Sequence, residues 1–118
     1  MDKTIYKIVP RELWQPASVA GVFKGAPIDL KDGYIHFSTA AQAVETARLH
    51  FSGQSDLMLV AVDATLFGDA LKWEASRGGD LFPHLYADLS LDAVLWEKPL
   101  ALGEEGLHVF PSLTGEKP

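Results

Sequence analysis

The chain has no cysteine. That absence removes disulfides, thiolate metal sites and thiol nucleophiles together, and leaves oxygen and nitrogen to carry any chemistry. No stretch approaches the ~20 consecutive apolar residues that span a bilayer, and Met1 to Ile5 lacks the apolar run of a signal peptide. A soluble, cytoplasmic protein without a membrane partner is expected. Clustered base is also missing: no two Lys or Arg residues are adjacent, and Leu49 to Leu71 holds Asp56, Asp63 and Asp69 but no Lys or Arg. Phosphate backbones bind through clustered cations, so a chain of net charge −6 is a poor partner for duplex nucleic acid. His36, His50, His84 and His108 show no metal-ligand spacing, and the phosphate-loop, dinucleotide-binding and Gly-x-Ser-x-Gly patterns are absent.

What remains is an ordinary globular composition, 47% hydrophobic and 22% charged over 118 residues. One domain with its own core is expected over 1–113, with Thr114 to Pro118 as a flexible, breaker-rich tail. Ile5 to Val9 reads as a strand ended by Pro10, with Lys7 an isolated cation among apolar neighbours. Arg11 to Gln15 reads as a short helix before Pro16, and Ala17 to Phe23 as another, interrupted at Gly21. Gly25-Ala26-Pro27 and Lys31-Asp32-Gly33 read as turns, followed by a strand in which Tyr34, His36 and Ser38 share a face. Thr39 and Gln42 have capping-box spacing, which predicts a helix from Ala40 whose buried face is Ala40, Val44, Ala47 and Phe51, with a stop near Gly53.

Leu57 to Val62 is a continuous apolar run, predicted as a central strand covered on both faces. Strands follow around Leu71 to Glu74, from Ala93 to Lys98 with an end near Pro99, and at an edge from Leu107 to Phe110. The sum is an α+β domain, since strands and helices do not alternate regularly.

Reactive side chains gather in two stretches, Gly33 to Gln42 and Trp73 to Tyr86. The first carries His36, Ser38, Thr39 and Gln42. The second carries Glu74, Ser76, Arg77, Asp80, His84 and Tyr86 around the Gly78-Gly79 pair, where unencumbered backbone can approach a ligand. Together they predict two walls of one pocket. Each group also has a structural role open to it: Thr39 as a helix cap, His36 as a satisfied core histidine, Glu74 as a solvent-facing strand residue, and Arg77 with Asp80 as a surface pair. Trp14, Trp73 and Trp96 read as core.

Three segments resemble the bacterial family called domain of unknown function 952: Ile5 to Ile8, Asp32 to Thr39 and Trp73 to Tyr86. That family is grouped by similarity with the ADP-ribosyltransferase-like fold. The resemblance implies a bent, mainly antiparallel split sheet with a few short helices, and a cleft that holds NAD as substrate in the active members. On this resemblance Ser38 is the hydroxyl of the second strand and Glu74 the carboxylate beside the nicotinamide ribose. Tyr6-Lys7 stands where those transferases have a His or Arg motif, and no Glu-x-Glu or Gln-x-Glu occurs near the end.

Cleaving the nicotinamide bond develops positive charge on the sugar, which a carboxylate stabilises. Glu74, His36 and His84 are therefore the catalytic candidates, and Ser38, Arg77, Gly78, Gly79, Asp80 and Tyr86 the ligand-binding ones, with Arg77 and the glycine backbone holding phosphate. Two further readings use the same residues: a noncatalytic module for ADP-ribose, a nucleotide or a small anion, and a small hydrolase or isomerase working through a Glu/His pair.

Overall fold

β1 (Thr4–Pro10) alternates between two cores. Ile5 and Val9 enter one apolar cluster, Tyr6 and Ile8 the other. The computed structural model describes residues 3–113, the side chain of Arg77 excepted, so the tail expected from Thr114 lies outside the described residues. β4 (Leu57–Asp63) divides in the same way, with Met58, Val60 and Val62 on one face and Leu57, Leu59 and Ala61 on the other. Both faces are covered because every second residue meets a different cluster, which is why this run lacks polar alternation.

β4 lies between β1 and β8 (Val94–Leu102), and β9 (His108–Val109) completes an antiparallel sheet of order β1-β4-β8-β9. α1 (Arg11–Ala20) packs on the first face through Trp14 and Ala17, and α3 (Ala40–His50) on the second through Ala43 and Ala47. Burying a side chain such as Trp14 contributes about 1.5–3 kcal/mol, and its indole Nε1 donates to Glu97 Oε1 at 3.0 Å, which keeps that burial free of an unpaired donor.

A second antiparallel sheet has the order β3-β6-β5, from β3 (Ile35–His36), β5 (Leu71–Ala75) and β6 (Leu81–Leu85). β2 (Val22–Phe23) and β7 (Leu89–Ser90) form a short antiparallel pair beside it. Among the described residues the two larger sheets meet at one bridge, where Tyr6 and Ser38 exchange backbone hydrogen bonds of 2.8 and 2.9 Å. The result is a small α+β domain with a curled antiparallel sheet, parted on one side of that bridge.

Several expectations are corrected. Arg11 to Ala20 is one helix and runs through Pro16, held by the buried Trp14 and Ala17 on either side of it; its left-handed cap at Gly21 (φ 84°) then leads into a strand. The two turn signals around residues 25–33 enclose a helix, α2 (Pro27–Asp32), with proline in its first turn and Gly33 (φ 88°) closing it. Val44 is exposed and Ala43 takes its place in the buried face of α3, which Thr39 caps as anticipated by donating and accepting with Gln42. β8 continues through Pro99 because β9 pairs only with Ala101 and Leu102, so nothing on that edge needs the missing N–H.

Candidate functional site

Two elements of the second sheet set the site. His36 on β3 stands opposite His84 on β6, and Lys72 on β5 stands opposite His84 in turn. Partners across a ladder share a face, so the imidazoles of the two sequence stretches lie together, with ring centres 5.6 Å apart. Ile35, Phe37 and Leu85 turn the other way into the apolar core. Tyr34 stacks on His84 at 4.1 Å between ring centres and touches His36 and Tyr86 as well.

Glu74, two positions beyond Lys72 on the same face of β5, brings Oε1 within 2.7 Å of His84 Nδ1 and accepts the Tyr86 hydroxyl at 2.8 Å. The hydrogen bonds from His84 and Tyr86 hold the Glu74 carboxyl below its ordinary range, while the same bond pushes the Tyr86 hydroxyl up. An ionised carboxylate only accepts, so His84 donates from Nδ1, and Nε2 makes no hydrogen bond among the described residues. His84 is almost fully buried within the protein and contributes to a cavity wall.

His36 is held differently. Nδ1 lies 2.6 Å from Asp29 Oδ1 and Nε2 lies 2.9 Å from Asp32 Oδ2, so both ring nitrogens face carboxylates. Asp29, from α2, is 1% exposed and gathers donors from three elements: the Ala26 amide at 2.8 Å, the His36 amide at 3.1 Å, the His36 ring, and the buried Lys7 ammonium at 2.9 Å. Burial alone would raise this carboxyl. The His36 bond, the Lys7 charge and the Ala26 amide outweigh it, and the group sits at about 2. Burial pushes the Lys7 ammonium below the ordinary lysine range, against the attraction of Asp29.

The cavity occupies about 510 Å³ where the two sheets part. Of the sequence candidates, His36, Ser38 and His84 line it. Glu74 and Tyr86 stand behind His84, off the wall. Gly78, Gly79 and Asp80 are not in the lining, although Ser76 beside them is; Gly78 and Gly79 take positive φ (69° and 84°) in a tight exposed turn. The side chain of Arg77 is outside the described residues. Ser38 Oγ lies 3.0 Å from Thr46 Oγ1 of α3, which ties the wall to that helix.

Sequence reasoning missed Lys7, Asp29 and Asp32 as members of one network, and Thr46 and His50 on the α3 wall. The available signal was Lys7 itself. An ammonium in an otherwise apolar strand requires a carboxylate from elsewhere in the fold.

Comparison with known proteins agrees with this architecture. The crystal structure of protein CC0527 from Caulobacter crescentus is 48% identical, over 90% of this chain and 93% of that one, with a TM-score of 0.87. A doubly substituted variant of CC0527 gives 0.86 at the same identity and coverage, and its solution NMR structure gives 0.81 over 90% of this chain and 91% of that one. No curated protein matches the chain. The family described as "Protein of unknown function (DUF952)" matches residues 8–97, most of the length, and the chain belongs to it.

Proposed function

We propose that the cleft takes a small nucleotide-type ligand, NAD or ADP-ribose, and that His84 is its acid–base group. The observation that carries this reading is the Glu74–His84 pair, whose 2.7 Å contact fixes the tautomer and leaves Nε2 open beside the cavity. An imidazole so oriented takes a proton from a ligand hydroxyl and returns it to a leaving group. Glu74 acts through His84 and not on the sugar directly, because it lies off the cavity wall. The carboxylate on the wall is Asp32, and positive charge developing on a ribose would face that group.

The cavity volume falls in the range of about 300–1,000 Å³ typical of small-molecule sites. Phe51 and Phe82 supply flat apolar wall for a base, and Ser38 and Ser76 supply hydroxyls for a ribose. The Gly79 amide donates to the Ser76 carbonyl at 2.8 Å, which sets the glycine corner beside that lining serine, and a phosphate extending past the rim would meet it there.

A thermal-shift series with NAD, ADP-ribose and mononucleotides, followed by assay for released nicotinamide, tests the reading. At a concentration one hundred times its Kd a ligand stabilises by about 2.7 kcal/mol, which a melting curve resolves easily. His84→Asn should retain the shift and abolish release, and Arg77→Ala should weaken phosphate-bearing ligands alone. A shift without release in the unaltered protein identifies a binding module, the reading favoured by the full hydrogen-bond occupancy of His36. No shift with any of these ligands overturns the nucleotide assignment.

A further inference from the structure

Lys7 is a charged group of the cavity wall to which nucleotide binding assigns no role. Its position is unusual. It occupies the middle of an apolar strand, is 5% exposed, and contributes to the cavity wall between Tyr6 and Ile8. A lysine placed only to neutralise Asp29 has no need of a cavity beside it, since His36 and two backbone amides already donate to that carboxylate.

We propose that Lys7 is a nucleophilic amine that condenses with the aldehyde or ketone of a small ligand in this cavity. In the reaction the Lys7 Nζ lone pair attacks the carbonyl carbon, a C–N bond forms, and the carbonyl oxygen leaves as water. Starting from the ammonium, two of its three protons depart with that water and one stays on nitrogen. The product is a protonated imine carrying the same single positive charge as the group it replaces. Asp29, at 2.9 Å, therefore faces a cation before and after the step, and no change of net charge is imposed on the buried site. The attacking amine must pass through its neutral form. Burial favours that form in Lys7, as it does in other lysines that form imines from desolvated pockets. His84 lines the same cavity from the other sheet, and its Nε2 is the base available to shuttle protons during loss of water.

The ligand class follows from the chemistry. An open-chain sugar with a free carbonyl, including the reducing ribose of ADP-ribose, can be captured in this way, whereas a glycoside such as NAD has no carbonyl carbon for the amine to attack at its nicotinamide ribose. In that form the inference builds on the nucleotide reading, but the trap itself requires only a carbonyl.

The test uses the folded, unaltered protein and glycolaldehyde as probe, with cyanoborohydride to reduce any imine to a stable amine, at neutral pH and short exposure. Peptide mass spectrometry then compares Lys7 with the exposed Lys24, Lys72 and Lys98. Burial favours the neutral, nucleophilic form of the amine and the cavity admits the probe, so Lys7 should be modified faster than those residues. The preference should vanish when the protein is unfolded in guanidinium, where all lysines are equivalent. Modification of Lys7 no faster than the exposed lysines overturns the proposal, and no variant is needed to see it. Lys7 labelling without any nucleotide-induced thermal shift would sink the nucleotide reading alone. A nucleotide-induced shift with Lys7 unlabelled would sink the amine proposal alone.

Discussion

Asp29 holds more of the site together than any residue picked out by motif. Its carboxylate joins β1 through Lys7, β3 through the His36 ring and amide, and the start of α2 through the Ala26 amide. Replacing it with Asn leaves Lys7 as a buried charge without its counter-ion, and breaking such a pair from one side costs about 3–5 kcal/mol. Asp29→Asn should therefore lower urea stability near neutral pH by that order. The pH dependence has a definite sign. A carboxyl held at about 2 in the folded protein against 3.8 ordinarily contributes fully above about pH 4 and loses its contribution, about 2 kcal/mol, as pH falls toward 2. The stability gap between the unaltered protein and Asp29→Asn should narrow over that window. A gap that stays constant from pH 5 to about 2 would show that Asp29 is not the depressed carboxyl.

Among the elements, α3 is the one whose beginning was written most plainly. Thr39 and Gln42 satisfy each other's backbone amides at 3.0 and 3.2 Å, and the Gln42 side-chain Nε2 donates to the Leu81 carbonyl at 2.8 Å, linking the helix start to β6. Thr39→Ala should cost about 1 kcal/mol by thermal or urea denaturation, and a loss indistinguishable from zero would mean that solvent replaces the cap. Such local patterns are legible because their partners lie three residues apart. The errors arose where tertiary contacts outweighed a local signal. Pro16 sits inside α1 because Trp14 and Ala17 are buried on the same helix, and Val44 yields to Ala43 because α3 lies close enough on β1 and β4 to admit only a small side chain at the contact. α2 is too short for hydrophobic periodicity to reveal it, and its function in the fold is to deliver Asp29 and Asp32, whose partners are separated from it by 22 positions in one direction and 4 in the other.

For the molecule as a whole, the arrangement of the sheets decides where a ligand can act. His36, Ser38 and His84 could be grouped from the sequence because their stretches flank turns, yet the cleft exists because, among the described residues, the two sheets join at the Tyr6–Ser38 bridge alone. An apolar cluster containing Ile35, Phe37 and Leu85 with Ile5 and Val60 closes the junction on the core side, and past Tyr6 the edge of β1 is free to line the cavity. The Tyr6 and Ser38 amides are therefore the seam on which the sheets can flex, while β4 lies between two strands and opens only when the core does. In hydrogen exchange, the Tyr6 and Ser38 amides of the free protein should exchange faster than those of Leu59 and Val60. A ligand that spans the cleft contacts both sheets, so it should slow the seam by about tenfold or more, equivalent to about 1.4 kcal/mol, and leave relative protection within β4 little changed. Seam amides as protected as those of β4 before any ligand is added would mean that the two sheets behave as one rigid body, and the cleft would then have to admit its ligand without opening.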